Sequence, residues 1–148
     1  MKRYVLWSVF ALAAFALALT TSPATAAEDA TFTAEFTTTL HGTHEGKVDV
    51  FTGTGNASQL GRFSVVIYNH FMGARLESEL VFTAANGDEL DMRAEQTFDV
   101  ATSTWSGPFT ITGGTGRFAD ASGDGTIDVV LDFATETAAA SLTGKISF

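Results

Sequence analysis

The chain has 148 residues, with seventeen acidic against eight basic side chains, a net charge of −9 and no cysteine. That length holds one domain with a real core and little more. The acidic balance argues against phosphate backbones and anionic membrane surfaces as partners, and the fold must hold without disulfides.

The N-terminus carries Lys2 and Arg3, an apolar run over 4–19, and then TTSPATA. Ala24 and Ala26 form the small-x-small pattern of a signal peptidase site. The run is short for a membrane-spanning helix. Residues 1–26 therefore read as a secretory signal peptide, and 27–148 as a single secreted or extracytoplasmic domain. Loss of Lys2 and Arg3 takes the net charge to −11.

After the leader, alternation dominates, because successive side chains of a strand point to opposite faces. Residues 31–40 place Phe32, Ala34, Phe36 and Leu40 on one face. Two less regular strands are expected near 47–56 and 62–71. In the second, Phe63, Val65, Ile67 and Phe71 share a face, yet Val66 and Tyr68 are apolar on the other. That pattern predicts a subunit contact or a covering segment. Residues 76–84 align Leu76, Leu80 and Phe82, and 89–99 align Leu90, Met92, Ala94 and Phe98. Residues 105–111 align Trp105, Phe109 and Ile111. Residues 126–133 align Ile127, Val129, Leu131 and Phe133, and 140–148 align Leu142, Ile146 and Phe148.

The turns support the count. Asn86-Gly87 is a two-residue hairpin signal, since both residues tolerate positive φ. Thr135-Glu136-Thr137 separates the last two strands, and no helical period follows residue 27. The fold class is all-β, read as an eight-stranded antiparallel up-and-down barrel or a sandwich. A closed barrel of eight strands is filled by side chains or holds one small ligand.

ITGGTGRFADASG at 111–123 resembles the GG[ST]G-x-F motif of the allene oxide cyclase and dirigent barrel superfamily. The resemblance implies a calycin-like barrel with an apolar pocket, often assembled as a trimer. It implies either ligand binding or cofactor-free cyclisation of a held substrate. In this chain the motif predicts a tight reversal at Gly113, Gly114 and Gly116, with Phe118 plugging one end against Phe109 and Phe133. Glu35 lies near the strand-one glutamate of the cyclases, but alternation turns it outward.

Other motifs are weaker. Asp120, Ser122, Asp124, Gly125 and Asp128 match early positions of a calcium loop, but Leu131 stands where a bidentate Glu is needed. His41, His44 and Glu45 are close enough in sequence to hold a metal, though no further convergent ligand is apparent. No metal or cofactor is expected. No catalytic triad elbow or phosphate loop is present.

The residues that interrupt the apolar rows carry the functional reading. Asn69 lies between Ile67 and Phe71, Ser78 between Leu76 and Leu80, and Gln96 between Ala94 and Phe98. Together with Trp105 they are the candidate ligand-binding residues. Buried polar groups need partners, from one another or from a ligand. Three functions remain open at this point. The barrel holds a small hydrophobic molecule, or it orients a substrate for cyclisation or isomerisation, or it is filled and structural.

Overall fold

The computed structural model describes residues 28–44 and 47–148, with His44 as backbone only. The signal peptide reading, the His44 side chain and Glu45 lie outside the described residues.

Eight strands follow one another around a closed antiparallel barrel. They are β1 (Ala30–His44), β2 (Val48–Ala57), β3 (Gly61–Met72), β4 (Arg75–Ala84), β5 (Glu89–Asp99), β6 (Thr104–Gly114), β7 (Ser122–Asp132) and β8 (Thr137–Ser147). Each pairs with its sequence neighbours, and β8 closes on β1 with Ala34 opposite Leu142. Closure removes the exposed strand edges that an open sheet would leave.

The alternation expected from the sequence sets the inside of the barrel. Phe32, Val65, Phe82, Leu90, Met92, Phe109, Ile127, Leu142 and Ile146 are buried inward. Glu35 is exposed on the outer face. Val66 and Tyr68 also face out, and no segment of the described chain covers them. Tyr68 is 39% exposed.

The turn after β4 differs from the expectation. Gly87 N donates to Ala84 O at 2.9 Å, and Ala84 N donates to Asp88 O at 2.9 Å. The loop therefore has three residues, and only Gly87 takes a positive φ, of 90°. Asn86 keeps a negative φ because its Oδ1 accepts from Asp88 N at 3.1 Å, which holds the turn from the side.

The ends of the barrel are unlike. At one end a 3-10 turn, Gly116–Phe118, folds Phe118 into the barrel with no exposed surface. Phe118 meets the Phe148 ring edge-on at 5.2 Å, and the Arg117 guanidinium lies 4.6 Å from its ring centre. Arg117 also donates to Gln59 O at 2.8 Å, tying the plug to the β2–β3 turn. Phe133 takes no part in this plug. It sits beyond the other end of β7 and is 74% exposed. Eleven residues of extended chain put it roughly 35 Å along the strand from Ser122. Alternation carried it onto the inner row, but the row had already left the barrel.

The calcium-like residues are also placed differently from a coordinating loop. Ser122, Asp124 and Asp128 lie on the outer face of β7, in line along an extended strand. Asp124 pairs across to Lys145. An extended chain spreads every second side chain along one line instead of wrapping them around an ion. Gly125 faces inward, where a Cβ would overlap Thr143 O, Gly144 and the Phe109 ring.

Candidate functional site

The inner rows change character along the barrel. Toward the plug, Phe36, Phe63 and Phe82 stack edge-on at 4.9–5.9 Å and fill the width. Beyond Phe36 the rows turn small or polar: Thr38, Gly53, Ala138 and Ala140 replace large side chains. Facing small residues leave a gap that no neighbour can reach. The result is a cavity of about 440 Å³ with Phe36, Leu80, Ile127 and Ala140 at its floor. Its volume falls in the range of small-molecule sites.

The cavity opens at the end opposite Phe118. Leu40, Phe71, Leu131 and Phe133 line the mouth. Leu40 is 54% exposed, although the alternation puts it on the inner row. The β1–β2 pairing slips one residue between Leu40 and Gly42, so His41 is extra and the strand end bends outward. His41 is exposed, and no group of metal-ligating side chains forms among the described residues.

The four candidate residues all lie in this cavity wall. Asn69 and Ser78 are direct cross-strand partners on β3 and β4. Gln96 on β5 pairs with Leu76, which sets it diagonal to Ser78. Gln96 Nε2 donates to Ser78 Oγ at 3.2 Å, and Ser78 Oγ donates to Asn69 Oδ1 at 2.7 Å. This neutral relay is the polar patch of an otherwise apolar chamber. Next to it the β5–β6 ladder lacks paired residues between Ala94–Phe109 and Thr97–Ser106. Pro108 lies in that gap and has no amide N–H to offer.

Trp105 takes a different part. From β6 its ring meets Phe98 at 5.0 Å and Phe71, on β3, at 5.6 Å. The indole therefore reaches over β4 and β5 to the far side of the mouth. It is 8% exposed and narrows the entrance above Gln96.

Two carboxylates, Asp132 and Glu136, stand at the rim. The Thr135 hydroxyl, and then the Ala134 and Thr135 amides, hold the Asp132 carboxyl below its ordinary value of 3.8. A carboxylate bound to its own turn is a weak base. The sequence reading did not single out these rim residues, nor the small positions Thr38, Ala138 and Ala140. The small side chains give no signal until the register shows which of them face one another.

No protein family, no curated protein and no solved structure gives a significant match to this chain.

Proposed function

We propose that this protein binds one small, mainly apolar molecule inside the open half of its barrel. The cavity of about 440 Å³ carries this reading, because its walls are apolar and its polar groups are few and neutral. Burial of a ligand's apolar surface contributes roughly 25 cal/mol per Å² before the entropy of association is set against it. A filled structural barrel accounts for the Phe118 end and leaves the open half without a purpose. The cyclase reading gains less support, since the inner relay is uncharged and the nearest carboxylates stand at the rim, Asp132 engaged by its own turn. The resemblance to the allene oxide cyclase and dirigent barrels agrees with a ligand-holding interior.

A hydrophobic fluorophore should bind with a stoichiometry near one. Ala140→Phe fills the floor from β8, so it should abolish that binding and leave the fold intact. Saturable binding that survives Ala140→Phe would put the site outside the barrel. Residues 1–26 support an extracytoplasmic location. N-terminal sequencing of exported material should begin at Ala27, and retention of the leader in a membrane fraction would overturn this.

A further inference from the structure

The unengaged polar groups of the cavity wall are donors, and they stand together. Trp105, Thr38 and Asn69 all line the chamber. Trp105 is 8% exposed and Thr38 is 5% exposed. Thr38 and Asn69 each sit one inner position short of a mouth residue, Leu40 and Phe71. The Trp105 ring lies 5.6 Å from that of Phe71. The three residues form a belt just below the mouth, above the hydrocarbon floor of Phe36, Leu80 and Ile127. Each has bonding capacity to spare. The indole N–H can only donate. Ser78 directs its proton to Asn69 Oδ1, which leaves the Asn69 amide hydrogens as the unengaged part. The Thr38 methyl lies 2.8 Å from where a Cβ on Gly53 would stand, so the hydroxyl is turned away from β2. Among the described residues, the Trp105 N–H, the Thr38 hydroxyl and the Asn69 amide hydrogens have no partner in the chain. None of them is sealed from solvent, a state confined to Gln96 Oε1.

We propose that this belt reads an uncharged hydrogen-bond acceptor, and that the ligand is a carbonyl compound, a ketone or an ester, with an apolar body. The inference rests on the cavity reading above and names the chemistry of its occupant. The body enters first and covers the hydrocarbon floor. The carbonyl oxygen follows and stops at the belt, where it accepts from Trp105 Nε1. A pure hydrocarbon that displaces water from the chamber strands these donors, and a stranded buried donor costs more than one hydrogen bond returns. The carbonyl oxygen accepts on two lone pairs and brings no proton that would compete for the Thr38 oxygen. A carboxylate also accepts, but no cation lines the cavity, and Asp132 and Glu136 at the rim repel an anion. Asp49, which faces Asn69 across the β2–β3 ladder, adds to that repulsion, and its own Oδ1 is engaged by Thr43 Oγ1 at 3.0 Å. An ammonium has no lone pair to offer the belt.

Three probes separate these cases: hexyl methyl ketone, its analogue with C=CH₂ in place of C=O, and octanoate, titrated calorimetrically at neutral pH into the whole protein. Trp105→Phe keeps a ring at the mouth and removes the donor. It should lower the ketone-to-alkene affinity ratio by about fivefold, the scale of one neutral hydrogen bond. Octanoate should bind more weakly than the ketone. The indole proton gives a second readout, because Trp7 is the only other tryptophan in the chain and Trp7→Phe assigns the Trp105 signal. In the ketone complex that proton should resonate further downfield than in the alkene complex. An affinity ratio unchanged in Trp105→Phe would overturn the acceptor proposal and leave the cavity reading standing. Octanoate binding more tightly than the ketone would do the same. Binding of none of the three would defeat the cavity reading itself. If Trp105→Phe does not fold, the indole proton decides, and the same position in both complexes would overturn the proposal.

Discussion

The two halves of this barrel are built from the same eight strands and do opposite things with them. At the Phe118 end the large buried rings of Phe32, Phe36, Phe63, Phe82, Phe109 and Phe118 fill the interior, and polar contacts staple the cap from outside. Arg117 reaches Gln59 O, Thr115 Oγ1 accepts from Glu89 N, and Asp88 lies 3.9 Å from Arg117. At the other end Thr38, Ala138 and Ala140 leave space between apolar walls, the mouth is ringed by exposed Leu40, Phe71 and Phe133, and one buried acceptor has no partner. The large buried rings are concentrated in one half, and the other half is hollow. Natural chains depart from full packing where function requires it, and the open half is where this one departs.

The contrast is tested most severely at the plug. Phe118→Ala removes a fully buried ring, and such truncations cost about 3–5 kcal/mol. The urea midpoint should fall sharply. A midpoint equal to that of the unsubstituted protein would mean that the closed half does not carry the fold. Gly125→Ala should follow with a smaller loss, about 1–3 kcal/mol, typical of forcing volume into a packed site. The added methyl would press on β8 backbone and on the Phe109 ring, neither of which can swing away. Full stability of Gly125→Ala would show that β7 and β8 can part more easily than their register suggests.

Much of this architecture was legible in the sequence because the inner and outer faces differ in chemistry. A row such as Phe32-Ala34-Phe36 admits one register, and a slip of one residue would turn it to water. Phe133 was misplaced because a period of two has no marker for the end of a barrel. The calcium-like spacing misleads for a related reason. Oxygen ligands at alternate positions describe a coordinating loop and a solvated strand equally well, and here the strand forms. Asn69, Ser78 and Gln96 were visible because each breaks an apolar row. Their relay was not, since it depends on Asn69 facing Ser78 and Gln96 standing diagonal to it. The cavity was hidden for the same reason, because volume arises only between facing small residues.

In the open half the expected effects on stability are smaller and the effects on binding larger. Gln96→Leu removes the unpaired oxygen and leaves the Ser78–Asn69 bond in place. Apolar replacement of a poorly satisfied buried group is close to neutral, so stability should change by no more than about 1 kcal/mol. Affinity for a hydrophobic fluorophore should change by more than that. A large loss of stability in Gln96→Leu would make the relay a pillar of the fold, and the distinction between the halves would blur.

The smallest effect concerns the rim. Asp132 Oδ1 accepts from Ala134 N at 2.9 Å and from Thr135 N at 3.4 Å, closing the turn between β7 and β8. The Thr135 hydroxyl, then these two amides, stabilise its charged form, so its pKa in the folded protein lies below 3.8. For a carboxylate lowered by folding, the unfolded chain binds the proton more readily. The contribution of Asp132 is therefore fully present above pH 3.8 and is lost as pH falls through the folded pKa. The group is exposed, so the loss should be local and leave the barrel standing. Amide protection at Ala134 and Thr135, relative to the unfolded chain at the same pH, should fall below pH 3.8, while amides around Phe118 at the closed end stay protected. Asp132→Asn should remove the pH dependence of that protection at the rim. A carboxyl titration placing Asp132 at or above 3.8 would show that the turn does not hold its charge. Equal acid sensitivity at both ends would show that the rim and the plug open together, as one cooperative unit.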